Sequence, residues 1–196
     1  MSKIYDVLHS SRQVRKAEVK DIPGVLSVLE QNLIANRKIQ NHEILEQTGF
    51  LINSFSYDDA KSAITDEDNF IFVVSTENND EIIGYAIGCD VNKLSPIFQK
   101  ELSSISSEIK DIIPLEKILY LRHIAKKADK NYVGQGLFLQ LLDYSKRENY
   151  KYIICVIAEK PIQNKASKKF HEKNGFFCAG FYQDGNKMSG VYLRKI

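Results

Sequence analysis

The sequence has no tryptophan, two methionines, four prolines and three cysteines in 196 residues. Cys89, Cys155 and Cys178 are odd in number and far apart, no Cys-x-x-Cys pair occurs, and His9, His42, His123 and His171 do not cluster with them. A disulfide framework and a thiolate metal site therefore lack support, no metal is expected, and reduced thiols are the natural reading. Long apolar runs are also missing. The longest, Ile153–Ala158, is far below the roughly 20 residues that span a bilayer, and Met1–Lys16 has no apolar segment of signal-peptide length. These absences predict a cytoplasmic protein with no membrane association. Charge of one sign is scarce too. Lys+Arg is 27 and Asp+Glu is 25, a formal charge of +2, which gives no overall basic face for nucleic acid.

What is present is ordinary globular composition, 43% hydrophobic and 27% charged. The length favours one domain that needs no metal or disulfide staple. Residues 1–12 read as a leader and 13–196 as the domain.

Val14–Ala17 reads as a first strand. Asp21 or its neighbour as N-cap, with Pro23 inside the first turn, announces a helix through Val25, Leu26, Leu29 and Leu33. Further helices are expected over Glu43–Thr48 and Ser56–Ile64, the latter with Ser56 as N-cap. Phe70–Ser75 and Ile82–Cys89 are β-branched and aromatic around a polar turn at 77–80, a hairpin signal. Residues 92–117 form a polar insertion with helix-like spacing of Leu and Ile. Ile118–Ala125 is a strand, Leu137–Tyr150 a helix, Tyr152–Ala158 a buried strand and Asn164–Asn174 a helix stopped by Gly175. Phe176–Tyr182 and Met188–Leu193 flank the Asp184-Gly185 turn. The order predicts an α/β (α+β) mixed sheet with helices on its faces.

The sharpest local feature is Gly134-Gln135-Gly136, opening a helix after a strand. Glycine admits positive φ and omits the Cβ that would block a ligand. Amides at a helix start point outward, and the helix dipole there favours anions. Gly136 is followed by Leu137-Phe138, which excludes a Walker A loop, and Leu139 stands where a dinucleotide fingerprint needs a small residue. Lys126, Lys127 and Lys130 precede the glycines, with Asp129 among them. A plain turn is the alternative reading.

His123-Ile124-Ala125-Lys126 through Gly134-Gln135-Gly136 resembles the central motif of the GNAT superfamily of acyl-CoA-dependent N-acyltransferases, and Pro161 through Asn164, Ser167, Phe170, His171 and Gly175-Phe176 resembles its second signature. Val14-Arg15-Lys16-Ala17 with Asp21-Ile22 resembles its opening. Lys126, Ala128 and Asn131 depart from the pattern, standing where Val, Pro and Gln or Arg are usual. The last signature resembles the branch that holds small-molecule acetyltransferases.

The resemblance implies a central, mostly antiparallel sheet of six to seven strands with a splayed parallel pair. It implies acetyl-CoA as donor and transfer to a small-molecule amine or amino acid by direct attack in a ternary complex. The pantetheine arm would pair with Ile124, Ala125 and Lys126. The diphosphate would sit on Asn131, Tyr132, Val133, Gly134, Gln135 and Gly136, with Asn164, Ser167 and Phe170 toward the thioester end.

Direct transfer needs a deprotonated amine, oxyanion donors and a proton for the departing thiolate. His171 stands where many members carry a tyrosine acid, and imidazole can carry a proton near neutral pH. Tyr120 and His123, on opposite faces of one strand, are candidate relays. Glu159 is a candidate base, and Arg122 a candidate anchor for a substrate carboxylate. Cys155 reads as an inert core residue. A protein N-terminal or lysine acetyltransferase, a silent acyl-CoA-binding module and an unrelated nucleotide binder remain alternatives. Either a monomer or a homodimer is compatible with the sequence.

Overall fold

Alternating apolar runs become strands and 3.6-residue stripes become helices in the order expected. The computed structural model describes residues 12–37, 41–76, 80–128, 130 and 132–196. The leader, except Arg12, and the donor candidate Asn131 lie outside the described residues.

The elements are β1 (Arg12–Lys16), α1 (Ile22–Asn32), α2 (His42–Thr48), α3 (Tyr57–Thr65), β2 (Asn69–Thr76), β3 (Ile82–Asp90), α4 (Pro96–Ser103), α5 (Ser107–Ile112), β4 (Ile118–Lys126), α6 (Val133–Arg147), β5 (Tyr152–Lys160), α7 (Lys165–Lys173), β6 (Phe177–Asp184) and β7 (Lys187–Lys195). The seven strands form one mostly antiparallel sheet in the order β1-β2-β3-β4-β5-β7-β6. β4 and β5 are parallel, and their ladder pairs only Ile118–Tyr120 with Tyr152–Ile154. Each strand runs on for six residues past the last pair. β7 pairs antiparallel with both β5 and β6.

The described chain forms two compact units. The first holds residues up to Arg37, Leu51–Gly88 and His123–Tyr144. Its core gathers Val25, Val28 and Leu29 of α1 with Ile71, Val73, Tyr85 and Ala125 from the strands. Full burial of such aliphatic and aromatic side chains contributes about 1.5–3 kcal/mol each. Asp21 corrects one expectation. It stands at the N-cap position of α1, but its side chain makes no cap bond. It is buried and accepts from Arg15 Nη1 at 2.6 Å, from Arg15 Nη2 at 2.9 Å and from the Glu18 amide at 2.7 Å. Burial alone would raise its pKa, but the Arg15 and Glu18 bonds outweigh that and hold it below the usual value. At α3 the expected cap is present: Ser56 Oγ accepts from the Asp59 amide at 3.1 Å, and Asp59 accepts from the Ser56 amide at 2.8 Å.

The second unit holds residues 41–50, Cys89–Arg122 and Ser145–Ile196. The insertion folds as α4 and α5, which place Leu102 and Ile109 against Ile118, Ile154, Val191 and Leu193. Cys155 is buried, and burial pushes its thiol well above the ordinary range, so it is no nucleophile.

Candidate functional site

In the first unit, the strand–turn–helix unit forms around a helix that starts earlier than its sequence suggests. α6 begins at Val133, so Gly134 and Gly136 occupy its first turn and are not a loop before it. Neither is among the positive-φ residues. The left-handed backbone falls on Tyr132, at φ 62°, which is exposed. The backbone therefore does not require glycine at either position, and Tyr132 makes the turn. The Gly136 amide donates to the Tyr132 carbonyl oxygen at 3.0 Å. That bond closes the first turn and leaves the amides ahead of it, at Val133 and Gly134, as the positions where helical geometry provides no acceptor. The fifteen-residue helix directs its positive dipole end to the same place.

The end of β4 beside this turn is held firmly. The Lys127 amide donates to the Ile83 carbonyl oxygen at 2.9 Å, and Asn32 Nδ2 donates to the Lys126 carbonyl oxygen at 3.0 Å. Of the three lysines, Lys127 pairs with Glu81, and Lys126 Nζ donates to the Ala128 carbonyl oxygen at 3.2 Å. Ile124 and Lys126 are half-buried and Ala125 is buried.

His123 also belongs to this unit. Its side chain is buried, its Nδ1 shares a hydrogen bond with the Tyr85 hydroxyl at 3.2 Å, and its ring packs on Phe55 with centroids 5.7 Å apart. This is a core histidine with its own aromatic partners.

The second unit holds the other candidates. Tyr120 packs edge-on against Phe98, and burial keeps its phenol protonated beyond the usual range. It holds its proton more tightly than a free phenol and is the weaker acid for it. Arg122 is exposed on the same strand.

Glu159 is the most unusual carboxylate. Ala158 pairs with Ser189 and Lys160 with Met188, so Glu159 is the extra residue of a β-bulge. Bulges re-aim a side chain. Here the carboxylate is buried and accepts from the Tyr192 hydroxyl at 3.0 Å and from Gln163 Nε2, with Lys168 Nζ 3.8 Å away. Burial, then the bond to Glu159, raise the Tyr192 pKa and keep its proton in place. A Cβ on Gly190 would lie 2.8 Å from Tyr192 Cε2 and 3.3 Å from Glu159 Oε1. Sequence reasoning missed Tyr192, Gln163 and Lys168. Their convergence depends on the β5–β7 register, which leaves no local signal.

The residues of the second signature make contacts within the second unit. Asn164 caps α7: its Oδ1 accepts from the Ser167 amide at 3.1 Å, and its Nδ2 donates to the Phe50 carbonyl oxygen at 2.8 Å. Both ends of the expected pantetheine contact are thus engaged within the protein. His171 is 3% exposed. Its Nδ1–H donates to the Ser167 carbonyl oxygen at 2.8 Å, with Ser167 Oγ at 3.3 Å. A carbonyl cannot donate, so the remaining lone pair is on Nε2. That atom is buried with no hydrogen-bond partner among the described residues. Desolvation lowers the His171 pKa from 6.5 to about 4, against a smaller opposing effect of the Ser167 bond. The expectation of a protonated imidazole near neutral pH is corrected accordingly: this ring is neutral and sits between Phe170 and Phe176, with centroids 5.3 and 5.0 Å away. Phe170, with Gln47, Gln163, Lys168, Lys169 and others, lines an open hollow of about 620 Å³. Among the described residues there is no metal-type cluster, and no helix is long and apolar enough to cross a membrane.

No protein-family model matches the sequence, and no curated protein matches it. Solved structures do match its fold. The ribosomal-protein-S18-alanine N-acetyltransferase of Escherichia coli is 16% identical, covers 94% of both chains and superposes with a TM-score of 0.60. The PaiA N-acetyltransferase of Thermoplasma acidophilum, solved with coenzyme A, is 14% identical over 95% of this chain and 99% of its own, with a TM-score of 0.61. A mosquito arylalkylamine N-acetyltransferase-like protein is 16% identical over 95% and 100%, with a TM-score of 0.61. The sheet order, the short β4–β5 ladder and these superpositions together make the fold of this chain that of the GNAT-superfamily acetyltransferases.

Proposed function

We propose that this chain is an N-acetyltransferase that takes acetyl-CoA as donor and a primary amine as acceptor, in direct transfer without a covalent enzyme intermediate. The observation that carries the proposal is the β4–α6 unit: a strand whose parallel ladder ends early, then a helix whose first turn contains Gly134 and Gly136. The residues fit a diphosphate. Main-chain amides at a dipole end bind phosphate without a dedicated side chain, and two glycines keep that surface clear.

Acetyl-CoA would supply a thioester carbonyl open to attack by a neutral amine. The chain's own groups would do the rest. Ile124, Ala125 and Lys126 offer backbone groups to the pantetheine amides, and the Ile124 N–H is the candidate oxyanion donor. Val133 and Gly134 hold the diphosphate, Tyr132 and Gln135 flank it, and Gly136 keeps the first turn slim. Glu159 is the candidate base, because its bulge, buried carboxylate and neighbouring Lys168 are costly features for a merely structural acid. A lysine-like amine, with pKa about 10.4, needs such help. Tyr120 stays a candidate relay, although burial makes its phenol a weaker acid than usual. His171, His123 and Asn164 act as supports.

The acceptor proposed is a small-molecule amine or amino acid, on the form of the second signature. The solved structures of equal likeness include one named for a ribosomal-protein alanine and one named for arylalkylamines, so likeness of fold ranks neither acceptor above the other. One observation favours a silent acyl-CoA-binding module instead: the position resembling the tyrosine acid holds a buried, neutral imidazole. Thiol release from acetyl-CoA across a panel of small amines, amino acids and peptide N-termini separates the readings. Turnover with a small amine is the expected result. Stabilisation by CoA with no thiol release from any acceptor would establish the silent module.

A further inference from the structure

Gly84 lies in β3, between Ile83 and the buried Tyr85. Its φ is not in the left-handed region, so the backbone does not require glycine there. Space does. A Cβ on Gly84 would stand 2.4 Å from Val133 Cγ1, 3.0 Å from the Ala125 carbonyl oxygen and 3.4 Å from Leu137 Cδ1. Val133 is the first residue of α6, Leu137 lies one turn later, and Ala125 is next to last in β4. A side chain on Gly84 would therefore press on both the end of β4 and the start of α6.

The neighbours cannot give way cheaply. The Ala125 oxygen is backbone. Val133 is fully buried, and a β-branched side chain in a helix has one strongly preferred rotamer. Bringing the 2.4 Å approach to an ordinary 3.4 Å contact requires the helix start to move by about 1 Å. The strand end is meanwhile fixed by Asn32, which donates to both the Val28 and Lys126 carbonyl oxygens, at 2.8 and 3.0 Å, and by the bond from the Lys127 amide to Ile83. A side chain at position 84 would displace α6 while β4 stayed in place.

We propose that Gly84 is a positioning residue for the donor site. Its bare backbone lets the first turn of α6 seat directly on β3, and this sets where the Val133 and Gly134 amides stand relative to the backbone of Ile124–Lys126. The inference rests on the donor reading above, which places the diphosphate on the first turn and the pantetheine arm on the strand. The two halves of one ligand then need both in register, so a shift of about 1 Å between them weakens binding of the whole.

The test is Gly84→Ala, with Val133→Ala and the double variant as controls. CoA affinity is read by calorimetry, the fold by thermal melting without ligand, and KM for acetyl-CoA and kcat by thiol release. The expected result is a folded Gly84→Ala protein whose CoA dissociation constant rises about tenfold or more, with KM rising and kcat nearly unchanged. In Gly84→Ala/Val133→Ala the loss shrinks to a few-fold, because the truncated side chain makes room. If Gly84→Ala does not fold, Val133→Ile carries the test, since its longer side chain presses on the same spot and should weaken CoA several-fold. Wild-type affinity in a folded Gly84→Ala, an equal loss in the double variant, or unchanged affinity in Val133→Ile would overturn the inference. Wild-type protein that ignores CoA would refute the donor reading itself, and this inference with it.

Discussion

Acidification should unfold this protein partly through one histidine. His171 titrates at about 4 in the folded chain against 6.5 for an ordinary imidazole, mainly because burial disfavours its charged form. Between those values the unfolded chain binds a proton that the folded chain does not. Stability is therefore intact above about pH 6.5, falls as pH drops toward 4, and levels off below. The full shift corresponds to about 3 kcal/mol, of which roughly 2 kcal/mol is lost between pH 7 and pH 5. For a chain of this size that lowers the melting temperature by about 4–8 °C. Other groups titrate in the same range, so the informative quantity is the difference from His171→Phe, which fills the site with a ring that cannot charge. Melts at pH 7 and pH 5 should give a fall about 4–8 °C larger in wild type than in the variant. Equal falls would refute the assignment of His171 as a buried neutral residue. Unchanged kcat in the variant would agree with its role as a support.

Two further substitutions test the frame. Asp21→Asn breaks a bidentate ion pair whose carboxylate is buried, and should cost about 2–4 kcal/mol at pH 7. Because the folded pKa of Asp21 is depressed, the pair's contribution is present above about pH 4 and lost below, so the variant should converge on wild type in acid; a melting temperature within 1 °C of wild type at pH 7 would contradict the pairing. Asn164→Ala removes both the α7 cap and the bond to the Phe50 carbonyl, at about 1 kcal/mol each. Asn164→Asp retains the cap and should cost about half as much, and identical losses by chemical denaturation would argue against the two separate roles.

The element order was legible because the strands carry β-branched alternation and the helices carry caps such as Ser56–Asp59. Two kinds of information were not local. One is the backbone conformation of Tyr132. A left-handed non-glycine residue is rare, so the two glycines read as a loop and α6 was expected four residues late. The other is register. Glu159 reads as an ordinary strand-end carboxylate until pairing with β7 makes it a bulge residue beside Tyr192. Asp21 reads as a cap for a similar reason, since its arginine partner lies across a turn. The imidazole of His171 looks titratable in sequence, and only packing by Phe170 and Phe176 shows that it is not.

The donor site is tested most directly by titrating coenzyme A into wild type and into Gly134→Asp, with calorimetric detection. A carboxylate in the first turn of α6 both fills the cradle and opposes the phosphates. The account predicts saturable heat with wild type and affinity reduced about tenfold or more in the variant, with both proteins folded. No heat from wild type at millimolar coenzyme A, or equal affinity in the two proteins, would contradict it.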